Sequence, residues 1–261
     1  MKTSWRLFLL SLSCGHLLAA APIQEVRDAI DKLRAAPNYS WKTTTATTNM
    51  PQQTMAMVIT VPSQGKTLAD GTTLITLRAL PAFAPACEIL VRGSQGAVRN
   101  LSLNPPAWVS FTDLERGDPG NVLGDLLGGA QPIGVRLDQS QLRSRLLLAA
   151  VNFKSPTFLS SDLVAKLRQL KLERGSYTGE LPETIVLQWI AASGYFSGYE
   201  STLTPLKGTG AIWVTKGVLS KYEFTLSGNA PTLSNTGFTI KRTTEILEVG
   251  TTKIEVPREA F

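Results

Sequence analysis

The stretch Ala211-Ile212-Trp213-Val214-Thr215-Lys216-Gly217-Val218-Leu219-Ser220-Lys221-Tyr222-Glu223-Phe224 decides the fold. Two runs rich in β-branched and aromatic residues flank Lys216-Gly217, a spacing that fits a two-residue hairpin turn. In the second run Tyr222, Phe224 and Leu226 share one face, and Lys221, Glu223 and Thr225 take the other. With Lys216-Gly217 as the turn, Trp213 pairs with Ser220 and sits diagonal to Tyr222 on the same face. This is the pattern of an antiparallel sheet with one face buried.

Outward from this hairpin, 236–248 reads as a long strand and 251–256 as a final short one, stopped by Pro257. At the other end of the chain, 22–36 reads as a helix with Pro22 in its first turn. Ile23, Val26, Ile30 and Leu33 form its apolar stripe, and Pro37 ends it. From 38 the period changes to two: Tyr39 and Trp41 alternate with Ser40 and Lys42, then a Thr-rich run continues to Thr48. Further strands are expected at 55–61, carrying Met55, Met57 and Ile59, and at 74–80. A short hairpin over 88–92 and 96–101 turns around Gly93-Ser94-Gln95.

Residues 105–195 change character. Ser110 to Glu115 fits a capped helical turn after Trp108. Helices are expected at 139–151, from Ser160 through Leu163, Val164, Leu167 and Leu170, and from Pro182 through Ile185, Val186, Trp189 and Ile190 to Gly194. A short strand at 175–181 lies between the last two. The order is helix, strands, helices, strands. That is an α+β fold: a curved antiparallel sheet, or half-barrel, with an N-terminal helix and a helical insert at about 110–195 covering the concave face.

Residues 1–20 read as a signal peptide. Lys2 and Arg6 precede an apolar stretch from Leu7 to Leu18, too short to span a bilayer, and Leu18-Ala19-Ala20 suits cleavage after Ala20. Two rivals stay open: a lipoprotein signal with a lipid anchor at Cys14, and an uncleaved anchor. The expected product is a periplasmic protein whose residues 21–261 form a single domain without a transmembrane helix. With 261 residues, 43% of them hydrophobic and 18% charged, the chain has material for a real core. The charge of +6 falls to +4 once Lys2 and Arg6 are removed. The basic residues are scattered rather than striped, which argues against a nucleic-acid partner.

Chemistry is sparse. The only His, His16, and one of the two Cys, Cys14, lie in the expected signal, leaving Cys87 as the one thiol. A His-assisted triad and a tetrahedral Cys/His zinc site are thereby excluded from the processed chain, and no cofactor or metal is expected. There is no nucleophile elbow and no phosphate-binding loop; Gly208-Thr209-Gly210 leads into a strand and reads as a turn. The carboxylate pairs Asp28 and Asp31, Glu115 and Asp118, and Glu180 and Glu183 read as solvated surface. The chain is therefore expected to be no enzyme. What stands out is apolar: Trp41, Trp108, Trp189 and Trp213, with Met55, Met57, Tyr222 and Phe224, on elements able to converge. They form either an ordinary filled core or the wall of a cavity for an acyl chain.

The 211–224 stretch resembles the strand-turn-strand of the LolA/LppX-like periplasmic lipid and lipoprotein carriers. Three further stretches resemble a group of uncharacterised exported proteins of Verrucomicrobia-type bacteria. They are Asp28-Ala29-Ile30 leading to Pro37-Asn38-Tyr39-Ser40-Trp41, Gly175-Ser176-Tyr177-Thr178-Gly179-Glu180-Leu181, and Val249-Gly250-Thr251-Thr252-Lys253-Ile254-Glu255-Val256-Pro257. The carrier resemblance implies transfer or scaffolding of a lipid or acylated partner and brings no catalytic residue with it. Thr43 to Thr48 and Thr72-Thr73 depart from it by making parts of the sheet polar.

Two functions follow as expectations. In the first, a lipid or acyl chain is bound by Trp41, Met55, Met57, Ile59, Trp213, Tyr222 and Phe224 on the sheet side and by Leu167 and Trp189 from the covering helices. Each buried methylene contributes ~0.8 kcal/mol. In the second, the core is filled and the chain is a sensor or interaction module for an envelope protein partner.

Overall fold

The computed structural model describes residues 14–49, 64–77, 86–101, 107–116, 154–193, 203, 205–229 and 237–257. The strands are β1 (Asn38–Thr48), β2 (Gln64–Leu68), β3 (Thr73–Leu77), β4 (Cys87–Arg92), β5 (Gln95–Asn100), β6 (Trp108–Ser110), β7 (Arg168–Glu173), β8 (Ser176–Leu181), β9 (Lys207–Thr215), β10 (Val218–Asn229) and β11 (Gly237–Leu247). The helices are α1 (Cys14–Ala35), α2 (Phe111–Arg116), α3 (Pro156–Lys166) and α4 (Glu183–Ser193).

The eleven strands among the described residues form one open antiparallel sheet in the order β6-β5-β4-β3-β2-β1-β11-β10-β9-β8-β7. The fold is α+β, a half-barrel with helices on its concave face. The two ends of the chain meet at its middle, where β1 pairs with β11 from Ser40↔Leu247 to Thr48↔Thr239. The concave face is buried by alternation: Tyr39, Trp41 and Thr43 of β1 point inward, as do Phe238, Ile240, Thr244 and Ile246 of β11. Val26, Ile30 and Leu33 of α1, Leu163 and Val164 of α3, and Val186 and Ile190 of α4 complete the same core.

Local chemistry explains the boundaries. Lys216 and Gly217 both have positive φ, at 54° and 73°, the geometry of a two-residue turn that matches the twist of the strands it joins. Ser110 caps α2: its hydroxyl accepts from the Asp113 amide at 3.0 Å and donates to the Asp113 carboxylate at 2.7 Å.

Five expectations need correction. α1 extends back to Cys14, so Pro22 lies inside the helix rather than in its first turn; the Leu17-to-Ala21 run is a good helix former and carries the turn onward. The α3 cap is Ser155, with Pro156 at the first position, not Ser160. That helix ends at Lys166, and Leu167 is extended (φ −69°, ψ 135°). Leu170 therefore belongs to β7, and the insert is not purely helical: the β7–β8 hairpin adds two strands to the sheet edge. The three-and-four spacing of 163, 164, 167 and 170 continued by chance across the helix end. The expected strand at 251–256 is an irregular segment instead. It places Ile254 against Leu74, Leu90, Ala97 and Trp108, a small second core separate from the main one, and Lys66 Nζ donates to the Lys253 carbonyl at 3.1 Å.

The fifth concerns Trp213. Pairing runs Val218↔Thr215 and Leu219↔Val214, then slips at Ser220, so that Lys221 faces Trp213 and Tyr222 faces Ile212. One extra residue in β10 moves a side chain to the opposite face. Ser220 anchors the bulge by donating to the Trp213 carbonyl at 3.1 Å. The expected strand 55–61, with Met55, Met57 and Ile59, and the expected helix 139–151 lie outside the described residues.

Candidate functional site

Strand register writes three rows across the concave face. Tyr177, Ile212, Tyr222, Thr244 and Thr43 are consecutive partners on β8, β9, β10, β11 and β1. Two residues along come Gly179, Gly210, Phe224, Arg242 and Thr45, and then Leu181, Gly208, Leu226, Ile240 and Thr47. On the β8–β9 side the glycines lower the floor, and Leu163 and Leu167 settle into it. A Cβ at Gly210 would lie 2.8 Å from Leu167 Cδ2 and 2.9 Å from Leu163 Cδ1. On the β10–β11–β1 side the floor carries Phe224, Arg242 and Thr45, and a space remains between it and the covering helices.

The result is a cavity of about 260 Å³ between the sheet and helices α3 and α4. Tyr222, Phe224, Leu226, Ile240, Arg242 and Thr45 form its floor, and Leu159, Asp162, Leu163 and Trp189 its walls. Trp189 meets Phe224 edge-on, with ring centroids 5.0 Å apart and planes at 63°, the geometry that aromatic quadrupoles favour. Small-molecule sites commonly hold ~300–1,000 Å³, and this volume lies just below that range.

Polar groups on the row beside it are paired. Thr43 and Thr244 hydroxyls share a hydrogen bond of 2.9 Å, and the Tyr222 hydroxyl bonds to Thr244. Burial pushes the Tyr222 hydroxyl above the usual tyrosine range, opposed by that hydrogen bond and by the nearby Arg242 charge. Tyr39 is raised by burial in the same way, while hydrogen bonds to Thr157 and Thr67 work against it. The Thr-rich strand is thus polar in composition yet internally satisfied on its buried face, at Thr43. At the wall, Asp162 is held by Lys166 at 2.7 Å, one helical turn on, and Lys166 Nζ lies 5.3 Å from the Trp189 ring centre.

Of the residues expected from sequence, Trp189, Tyr222 and Phe224 come together at this cavity. Trp41 faces the same concave side but fills a different place, over Gly65, where a Cβ would collide with its indole. Leu167 is buried in the glycine floor beside the cavity, not in its lining. Trp213 is on the opposite, convex face, with Lys221 Nζ 3.6 Å from its ring centre. Met55, Met57 and Ile59 lie outside the described residues. Sequence reading missed Leu159, Asp162, Leu163, Leu226, Ile240, Arg242 and Thr45 as lining. Arg242 and Thr45 had a signal: they alternate in phase with Trp41 and with the apolar residues of β11.

Among the described residues no three His, Cys, Asp or Glu side chains gather as a metal-binding group. None of the described helices is long and apolar enough to cross a membrane. Cys87 is buried, and burial pushes its thiol up to about 11.

No protein-family model matches the chain, and no curated protein matches it. Among solved structures the chain layout is similar to the lipoprotein LppX of Mycobacterium tuberculosis. The two share 8% identity over 91% of this chain and 99% of that one, with a TM-score of 0.41. It is also similar to LprF from Mycobacterium bovis, at 11% identity over 93% and 98% of the two chains and a TM-score of 0.39.

Proposed function

We propose that this chain is an exported, non-enzymatic binding protein that takes up a lipid or acyl chain between its sheet and its covering helices. The observation that carries this reading is the cavity itself. Most of its lining is apolar, from Leu159, Leu163, Trp189, Phe224, Leu226 and Ile240, and the Trp189 ring of α4 meets the Phe224 ring of the floor edge-on. A methylene moved from water into such a site gains ~0.8 kcal/mol, so a chain of several carbons outweighs its own ordering cost. Among the described lining residues no nucleophile stands beside a base, in keeping with a reading of binding rather than turnover. The export signal read at 1–20 places the protein in the periplasm in this proposal, or on a membrane through Cys14 if the signal is of the lipoprotein kind.

Native mass spectrometry on the chain purified from a bacterial periplasm, beside a denatured control, tests this. Added mass of lipid size that is lost on denaturation is the expected result. A bare mass, together with no uptake of an added fluorescent fatty acid, overturns it. The second reading, an interaction module with a filled core, draws on the densely filled Trp41–Gly65 half of the sheet and is the one left standing by that outcome.

A further inference from the structure

Arg242 is the one cation on the cavity floor among the described residues. Its position is set by register: it stands between Phe224 of β10 and Thr45 of β1, on the concave face. It is half-buried, and among the described residues its guanidinium makes no ion pair and no side-chain hydrogen bond. The other charges at the cavity do not supply a partner. Asp162 on the wall is engaged by Lys166 at 2.7 Å, and the Tyr222 hydroxyl is kept neutral by burial and turned to Thr244. Lys241 and Glu223, beside Arg242 and Phe224 in the chain, point to the convex face and pair with each other at 3.0 Å. Arg242, Asp162 and Lys166 together leave one net positive charge at an otherwise apolar cavity.

A guanidinium stays charged at every physiological pH and offers a planar fork of N–H donors that fits a carboxylate or phosphate. An apolar wall of Phe224, Trp189, Leu226 and Ile240 beside one unengaged guanidinium is complementary to an amphiphile with an anionic head. We infer that Arg242 is the head-group anchor of the acyl site. On this inference the ligand is an anionic amphiphile, a fatty-acid carboxylate or an alkyl phosphate, whose tail lies against Phe224 and Trp189 and whose head meets Arg242, with the Thr45 hydroxyl as a second donor. This rests on the acyl-binding reading above and narrows it to one charge class.

The test compares dodecanoate, dodecyl phosphate and dodecanol as probes for the full chain at neutral pH, by displacement of a fluorescent acyl probe or by calorimetry. Expected is a preference of about 10- to 100-fold for at least one anionic probe over dodecanol. The preference collapses in Arg242→Gln and is partly kept in Arg242→Lys. The two anionic arms separate a carboxylate source from a phosphate source. Equal binding of all three probes by the unmodified chain, or a preference that survives Arg242→Gln, overturns the head-group assignment and leaves acyl binding in place. Failure of all three to bind overturns both. If Arg242→Gln does not fold, Arg242→Lys is read instead, and a preference it leaves undiminished overturns the assignment.

Discussion

The two halves of the sheet treat the same concave surface in opposite ways. On the β1–β6 side one row runs Ile246, Trp41, Gly65, Ile75, Ile89, Val98 and Val109. Its largest member lies over its smallest: the Trp41 indole occupies the space a side chain at 65 would need, and Ile75, Ile89 and Val98 are at most 1% exposed. On the β8–β11 side the row Gly179, Gly210, Phe224, Arg242 and Thr45 has its glycines filled from above by Leu163 and Leu167, and its other end left open as the cavity. Both rows use glycine to admit a bulky neighbour. The difference is in what fills each row: the first is closed by its own side chains, the second is filled by Leu163 and Leu167 at its glycines and keeps a space beside them. The first half is built as a core and supplies stability; the second keeps a space and is the place for a ligand.

Truncation breaks that comparison most strongly. Trp41→Ala removes the side chain that seals Gly65 and is expected to cost about 3–5 kcal/mol. Phe224→Ala, at a half-buried position already bordering empty space, is expected to cost about 1–2 kcal/mol, because most of its cavity exists beforehand. Urea unfolding with an unchanged m-value measures both. Equal losses for the two variants would mean the halves are packed alike.

Next comes pH. Cys87 sits in the filled half, buried, with its thiol raised from 9.0 to about 11. A group whose folded pKa lies above its unfolded one favours the folded state fully below the unfolded value. That advantage is lost as pH climbs through the folded value. Stability is therefore expected to be flat to about pH 9 and then to fall between 9 and 11, by up to about 3 kcal/mol from this thiol alone. Cys87→Ala removes that component of the fall. A wild-type profile with the same slope as the variant's would show that Cys87 ionises freely in the folded chain.

Overfilling sharpens the contrast from the other direction. Ile75→Phe pushes bulk into a closed row and is expected to cost about 1–3 kcal/mol. Leu226→Phe adds comparable bulk at the cavity floor, where there is room, and is expected to change stability by less than about 1 kcal/mol while blocking acyl uptake. Denaturation midpoints and the fluorescent fatty-acid assay read the two effects separately.

How much of this was legible in sequence depends on the range of the signal. Period-two alternation is local, so β1, the β4–β5 hairpin and the Lys216-Gly217 turn could be placed within a residue or two. Tyr222 and Phe224 could be assigned to one buried face. Leu167 was misjudged because helical spacing persists past a helix end that its own extended backbone imposes. Arg242 was passed over because a charged residue in an apolar strand reads as solvated unless the partner strands are known; only the register against Phe224 and Thr45 shows what surrounds it. The open or filled state of the core was not legible, since it depends on how far helices from elsewhere in the chain reach.

The smallest effect concerns Trp213, the one described residue expected at the acyl site that the structure puts on the other side of the sheet. The bulge at Ser220 is invisible in alternation, because both strands look regular on their own; the slip exists only in how they pair. It sets Trp213 against Lys221 on the convex face, with the ammonium 3.6 Å from the ring centre. A half-buried surface cation–π contact of this kind contributes about 0.5–1 kcal/mol. Lys221→Met is expected to cost no more than that and to leave fatty-acid uptake unchanged. Trp189→Ala, at the cavity wall, is expected to weaken uptake strongly. If Lys221→Met or Trp213→Ala reduced uptake as much as Trp189→Ala does, the bulge would be misplaced and Trp213 would return to the concave face.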